Sequence, residues 1–250
     1  MVNAIGLGAI AGLIPVYVGI LAALFLGKVL PRTWESGLIG VANGVLVYLF
    51  FDLMHEATEQ TGARDPISWL VFLGSLGISF VGLVALESRQ VFGGRAGNRV
   101  LSLPYMIAVG MGLHNLGEGL AIGTSYASGE YTLSLLLVAG FGLHNGTEGF
   151  GIVGAAGKTP ISGRDVILLG LIAGLPTCVG TFLSGQGVSS YFSICFYALA
   201  AGSLLYVILA LTVMSYTATR RVQVATGLFA GISLMYLTAM VLTLVSGVRS

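Results

Sequence analysis

Charge is what this 250-residue sequence has least of: Asp, Glu, Lys and Arg make up 8% of it, against about 25% in an ordinary soluble domain. With 56% hydrophobic residues and a mean hydropathy of +0.94, that scarcity excludes a soluble fold and reads as a polytopic membrane protein. Cysteine is scarce too. Cys178 and Cys195 both lie in apolar context, which excludes a disulfide framework and a CxxC metal or redox pair, and both read as packing residues. The near balance of 11 basic and 10 acidic residues offers no basic surface, so no nucleic-acid partner is expected. The N-terminal MVNAIGLGAI has no basic stretch ahead of its apolar run and reads as the start of an uncleaved helix.

What is present is length of apolar run. A helix needs about 20 apolar residues to cross the hydrocarbon, and eight runs qualify, at about 4–27, 37–56, 66–86, 101–128, 131–156, 166–185, 191–216 and 222–248. The uncharged stretch between Val166 and Thr219 is too long for one crossing and divides at Gly185-Gln186-Gly187-Val188-Ser189-Ser190. The expectation is an all-α integral membrane protein, one polytopic domain over 1–250. Lys28, Arg32, Arg89, Arg95, Arg99, Lys158, Arg164, Arg220 and Arg221 follow odd-numbered spans, whereas Arg64 and Arg249 fall on the other side. Basic residues accumulate in short cytoplasmic loops, so both termini are expected outside, extracellular or periplasmic.

Only three histidines occur, and two of them sit in a repeat. Gly110-Met111-Gly112-Leu113-His114-Asn115-Leu116-Gly117-Glu118-Gly119 in span four matches Gly140-Phe141-Gly142-Leu143-His144-Asn145-Gly146-Thr147-Glu148-Gly149 in span five. The short connection between them makes the spans antiparallel, so the repeat is inverted, an arrangement that places substrate sites at the repeat interface near the midplane. The small residues Gly110, Gly112, Gly119, Gly140, Gly142 and Gly149 are expected to let the two backbones approach closely.

Residues four apart share a helix face, so His114 and Glu118 form one pair and His144 and Glu148 another. A carboxylate inside the membrane costs several kcal/mol unless paired, protonated or coordinating. No Lys or Arg is expected at the same depth, so the missing positive charge is best supplied by a cation. Two imidazoles and two carboxylates suit Zn²⁺, with Fe²⁺, Mn²⁺ and Cd²⁺ as alternatives; without thiolate or thioether a Cu(I)-selective site is not expected. Asn115 and Asn145 can offer amide oxygens to the same ion or an adjacent one. The third histidine belongs to an acidic stripe, Asp52, His55, Glu56 and Glu59, spaced i, i+3, i+4, i+7 at the end of span two. It reads as an entry funnel or auxiliary metal site at the external surface, or else as a solvated helix end.

HNLGEG and HNGTEG resemble the paired HNxPEG-type signatures of the ZIP family of zinc/iron permeases. FDLMHEA (51–57), AGLP (173–176) and AAGSLLYVIL (200–209) look like further ZIP counterparts. The resemblance implies an eight-helix inverted-repeat architecture with a transport bundle (spans one, four, five and six) moving against a scaffold (two, three, seven and eight). It implies transport of a divalent transition-metal cation, zinc foremost, towards the cytoplasm across a plasma or inner membrane, by a homodimer that is not an enzyme and needs no cofactor. His114, Asn115, Glu118, His144, Asn145 and Glu148 fall on the family's metal ligands. The sequence departs from the pattern at Gly117 and Thr147, where the family has proline, and at Thr177, where many members carry a glutamate serving a second metal. One ion per subunit is therefore expected. The other readings are an intramembrane zinc hydrolase, for which His55-Glu56-Ala57-Thr58-Glu59 lacks the second histidine of HExxH, and a non-metal carrier.

Overall fold

The computed structural model describes residues 2–62, 64–89, 102–157, 159–184, 189–217 and 219–246, which form eight successive helices and no strand. The first, α1, is continuous from Val2–Gly8 through a π-helical turn at Ala9–Leu13 into Ile14–Val29. Then come α2 (Arg32–Glu59), α3 (Pro66–Ser88), α4 (Ser102–Ala127), α5 (Tyr131–Ala156), α6 (Gly163–Ser184), α7 (Ser190–Ser215) and α8 (Arg221–Ser246). Helices α1, α2, α3, α6, α7 and α8 are long and apolar enough to cross a membrane by length and composition. Helices α4 and α5 have the length, 26 residues each, or about 39 Å at the helical rise. Each gives up apolar positions to a His-Asn-Glu set and to glycines. The turn expected across 185–188, and Arg95, Arg99, Lys158 and Arg249 of the basic set, lie outside the described residues.

Local chemistry fixes several helix ends. Ser162 and Asp165 form a capping box at the start of α6: Asp165 N donates to Ser162 Oγ at 3.2 Å and Ser162 N to Asp165 Oδ2 at 3.1 Å. This carries α6 three residues beyond the apolar run. Asp65 caps α3, accepting from Ile67 N at 3.1 Å with Pro66 in the first turn. Between α4 and α5, Glu130 N reaches Ser125 O at 3.0 Å and Gly129 N reaches Tyr126 O at 3.2 Å, a Schellman closure that needs Gly129 at φ +81°. That tight reversal makes α4 and α5 antiparallel neighbours.

The helices pack in two groups. In one, α4 lies on α6 and α1 lies on α5 and α6; in the other, α2 lies on α8 and α7, and α3 on α7. The groups meet chiefly where α4 touches α7 and α5 touches α2. Exchanging α4 with α5, α1 with α6, α2 with α7 and α3 with α8 maps these principal contacts onto one another, which is an inverted repeat expressed in packing.

The motif glycines serve a different seam from the one expected. A Cβ on Gly112 or Gly119 would strike the Ile172 or Thr177 carbonyl of α6, one on Gly149 the Gly19–Ile20 backbone of α1, and one on Gly110 Val207 of α7. Gly140 faces Leu242 of α8, and Gly142 faces the Ile10–Pro15 stretch of α1. The physical reason is space: the α4–α5 seam holds the polar side chains of the repeat, so the close backbone approaches fall on the flanking faces, α4 to α6 and α5 to α1.

Candidate metal centre

His114, Asn115, Glu118, His144, Asn145 and Glu148 are all at most 3% exposed. They come from matching turns of α4 and α5 and face one another. Glu118 is the hub: its Oε1 lies 3.1 Å from His114 Nε2 and in direct contact with His144 Nε2, while its Oε2 accepts from Asn145 Nδ2 at 2.8 Å. Glu148 is less engaged. Its Oε2 accepts from Asn115 Nδ2 at 2.9 Å, and its Oε1 has no hydrogen-bond partner and lies 4.0 Å from His114 Nε2. Among the described residues no Lys or Arg pairs with either carboxylate. His114, Glu118 and His144 each offer a ligand atom within 4.8 Å of the others, a grouping able to hold a metal ion.

Each asparagine braces the glutamate of the opposite helix and is itself tied to a flanking backbone. Asn115 Nδ2 also donates to Ala173 O at 3.0 Å on α6, and Asn145 Nδ2 to Ala11 O at 2.9 Å on α1. Both amide oxygens stay unpartnered and buried. The side chains therefore spend their N–H groups on the protein and leave their acceptors free, an arrangement that sequence spacing alone leaves open. Helices α4 and α5 run unbroken through Gly117 and Thr147; Thr147 Oγ1 caps back on His144 O at 2.7 Å instead of breaking the helix.

Thr177 is fully buried on α6, pressed against Gly12 of α1, with its carbonyl towards Gly119 of α4 and its hydroxyl unpartnered. Asp52, His55 and Glu56 stand apart from the buried cluster on an exposed face of α2, where Asp52 and His55 line a recess of about 360 Å³ together with Tyr48 and Ile232. His55 Nε2 pairs with Glu59 Oε1 at 3.3 Å, with both side chains about two-thirds exposed. Cys178 and Cys195 are free thiols, the latter accepting from Ser75 Oγ at 3.3 Å.

No family model matches the chain. Over 131 residues the chain is 33% identical to human "Zinc transporter ZIP4", a match that takes in 51% of this chain and 20% of the human protein's length. The chain thus spans about a fifth of that transporter's length, and it is similar to it over half of its own.

Proposed function

We propose that the protein carries a divalent transition-metal cation, zinc fitting best, across the membrane through the cluster between α4 and α5, with the ion as substrate. One observation carries the reading: two carboxylates and two imidazoles converge in full burial, with no Lys or Arg among the described residues paired to either carboxylate and with Glu148 Oε1, Asn115 Oδ1 and Asn145 Oδ1 left unpartnered. A divalent ion supplies the charge and fills those acceptors together. The spacing suits it. Ligand atoms at the corners of a tetrahedron with metal bonds of about 2.1 Å stand about 3.4 Å apart, and the 3.1 and 4.0 Å separations from His114 Nε2 to Glu118 and Glu148 straddle that value. With two carboxylates the site is neutralised by a single divalent ion, so one metal per subunit is the proposed load.

Uptake towards the cytoplasm, with both termini outside, is supported by the basic bias of the loops after odd-numbered spans. A cavity of about 710 Å³ opens at that end, between α1, α2 and α5, with Lys28, Phe150 and Val153 among the residues that line it. Phe150 and Val153 lie within about two helical turns of Glu148. The packing of α1, α4, α5 and α6 as one group supports movement of this group as a body against the other; the homodimer and the plasma or inner membrane are proposed from the family resemblance alone. Proteoliposomes holding the purified protein should accumulate Zn²⁺, and replacing both Glu118 and Glu148 by Ala should abolish it. Uptake by the double variant at the wild-type rate would sink the proposed site.

A further inference from the structure

The repeat continues past its His-Asn-Glu sets. Met111 stands three residues before His114 and Phe141 three before His144; Ile122 stands four residues after Glu118 and Ile152 four after Glu148. Residues three or four apart share a helix face, so each of the four lies on the face that carries the cluster, one turn away from it. Because α4 and α5 are antiparallel, Met111 and Ile152 fall on one side of the cluster, and Phe141 and Ile122 on the other. By the loop charges, the Met111 side is the cytoplasmic one.

The two layers are built differently. On the outer side, Phe141 is half-buried, with its ring edge-on to that of His144 at 5.6 Å between centroids. It packs with Ala11, Ile122 and Val138, which lie on α1, α4 and α5, all of one helix group. On the inner side, Met111, Ile152 and Leu211 are wholly buried. A Cβ on Gly151 would meet Met111 Cε at 3.0 Å and Leu211 Cδ1 at 3.3 Å, so these two side-chain ends close over that glycine, one turn below Glu148. Leu211 comes from α7, in the other group. The inner layer therefore straddles the seam between the groups, and the outer one does not.

Such a layer is a barrier in itself. The side chains of Met111, Ile152 and Leu211 offer no oxygen or nitrogen, and a divalent ion crosses a dry aliphatic constriction only when it parts or wets. Movement of one group against the other draws Leu211 off Met111, whereas it carries Phe141 and Ile122 along together. Methionine suits the position: unbranched, with three rotatable bonds, it can swing out of the hollow that Gly151 leaves. We propose that Met111 and Leu211, closing over Gly151, form the inner gate of the transport path, opened by movement between the two helix groups. This rests on the functional reading above.

The test is Zn²⁺ uptake by proteoliposomes of wild type, Met111→Ala, Leu211→Ala and Ile194→Ala, with Zn²⁺ dissociation constants and melting temperatures measured on the same purified proteins. Ile194 is buried near the other end of α7, in a separate apolar cluster with Ala57, Phe72 and Ala198, and controls for loosening of the core. Met111→Ala and Leu211→Ala should each raise maximal uptake about three- to tenfold, the factor that losing one or two buried methylene contacts from the closed state corresponds to. The dissociation constant should stay within about twofold of wild type, because neither side chain is a ligand. Ile194→Ala should lower the melting temperature without speeding uptake. If one gate variant fails to fold, the other, on a different helix, reads the same barrier. Unchanged or lowered maximal uptake in the folded gate variants, or a gain shared by Ile194→Ala, would overturn the gate alone; a wild type that takes up no Zn²⁺ would overturn the functional reading and the gate with it.

Discussion

Replacing Glu148 by Gln removes one negative charge from the proposed site with almost no change of shape. The amide oxygen can take the place of Glu148 Oε2, which accepts from Asn115 at 2.9 Å, and the amide N–H₂ then occupies the unpartnered Oε1 position. A unit charge and a divalent ion about 4 Å apart interact by about 8 kcal/mol at an effective dielectric near 20. Part of that is offset because the apo protein no longer holds a buried carboxylate, at a saving of several kcal/mol. A net loss of about 4 kcal/mol remains, roughly a thousandfold in the Zn²⁺ dissociation constant. The apo protein should melt no lower than wild type. Calorimetric titration in detergent reads the affinity and differential scanning reads the melting. Zn²⁺ affinity within about threefold of wild type would refute the reasoning, because the charge would then be absent from the ion's surroundings.

Replacing Asp52, His55 and Glu56 together should raise the apparent KM for Zn²⁺ uptake several-fold at unchanged maximal rate, more so at low ionic strength, because the stripe concentrates ions ahead of the site; a collapse of maximal rate at constant KM would place it in the conduction step. Thr177→Val removes an unpartnered buried hydroxyl and should raise stability by about 1 kcal/mol while leaving Zn²⁺ uptake intact; lost uptake would make Thr177 a site residue. Gly119→Ala drives a methyl into the Thr177 carbonyl of α6 and should destabilise by about 1–3 kcal/mol, whereas Gly117→Ala meets only Ala200 Cβ at 3.4 Å and should be tolerated; equal melting of the two would mean that α4 can slide on α6.

The contact of His114 with Glu118 was legible because an i, i+4 spacing fixes a shared face whatever surrounds the helix, whereas His144, expected to pair with Glu148, contacts Glu118 of the facing helix. That the two faces meet followed from one short turn, and Gly129 supplies the backbone form the turn requires. What spacing could not give was the partner of each glycine. A small residue announces a close approach but not which neighbour makes it, and Gly112, Gly119 and Gly149 turned out to serve α6 and α1. The orientation of Asn115 and Asn145 was hidden for a similar reason: it is set by the Ala173 and Ala11 carbonyls, more than 50 residues away in the chain. The π-turn did leave a trace, the one-residue difference between IAGLIP and IAGLP, visible only when α1 and α6 are compared as copies.

The central claim is that a single divalent ion sits among His114, His144, Glu118 and Glu148. X-ray absorption at the zinc edge on the purified, Zn²⁺-loaded protein, with metal content measured on the same sample, tests it most directly. The account predicts one zinc per chain, nitrogen and oxygen ligands at about 2.0–2.2 Å, an imidazole scattering signature that His114→Ala combined with His144→Ala removes, and no sulfur ligand. Two equivalents of tightly held zinc, a sulfur shell, or an unchanged spectrum in the double histidine variant would contradict it.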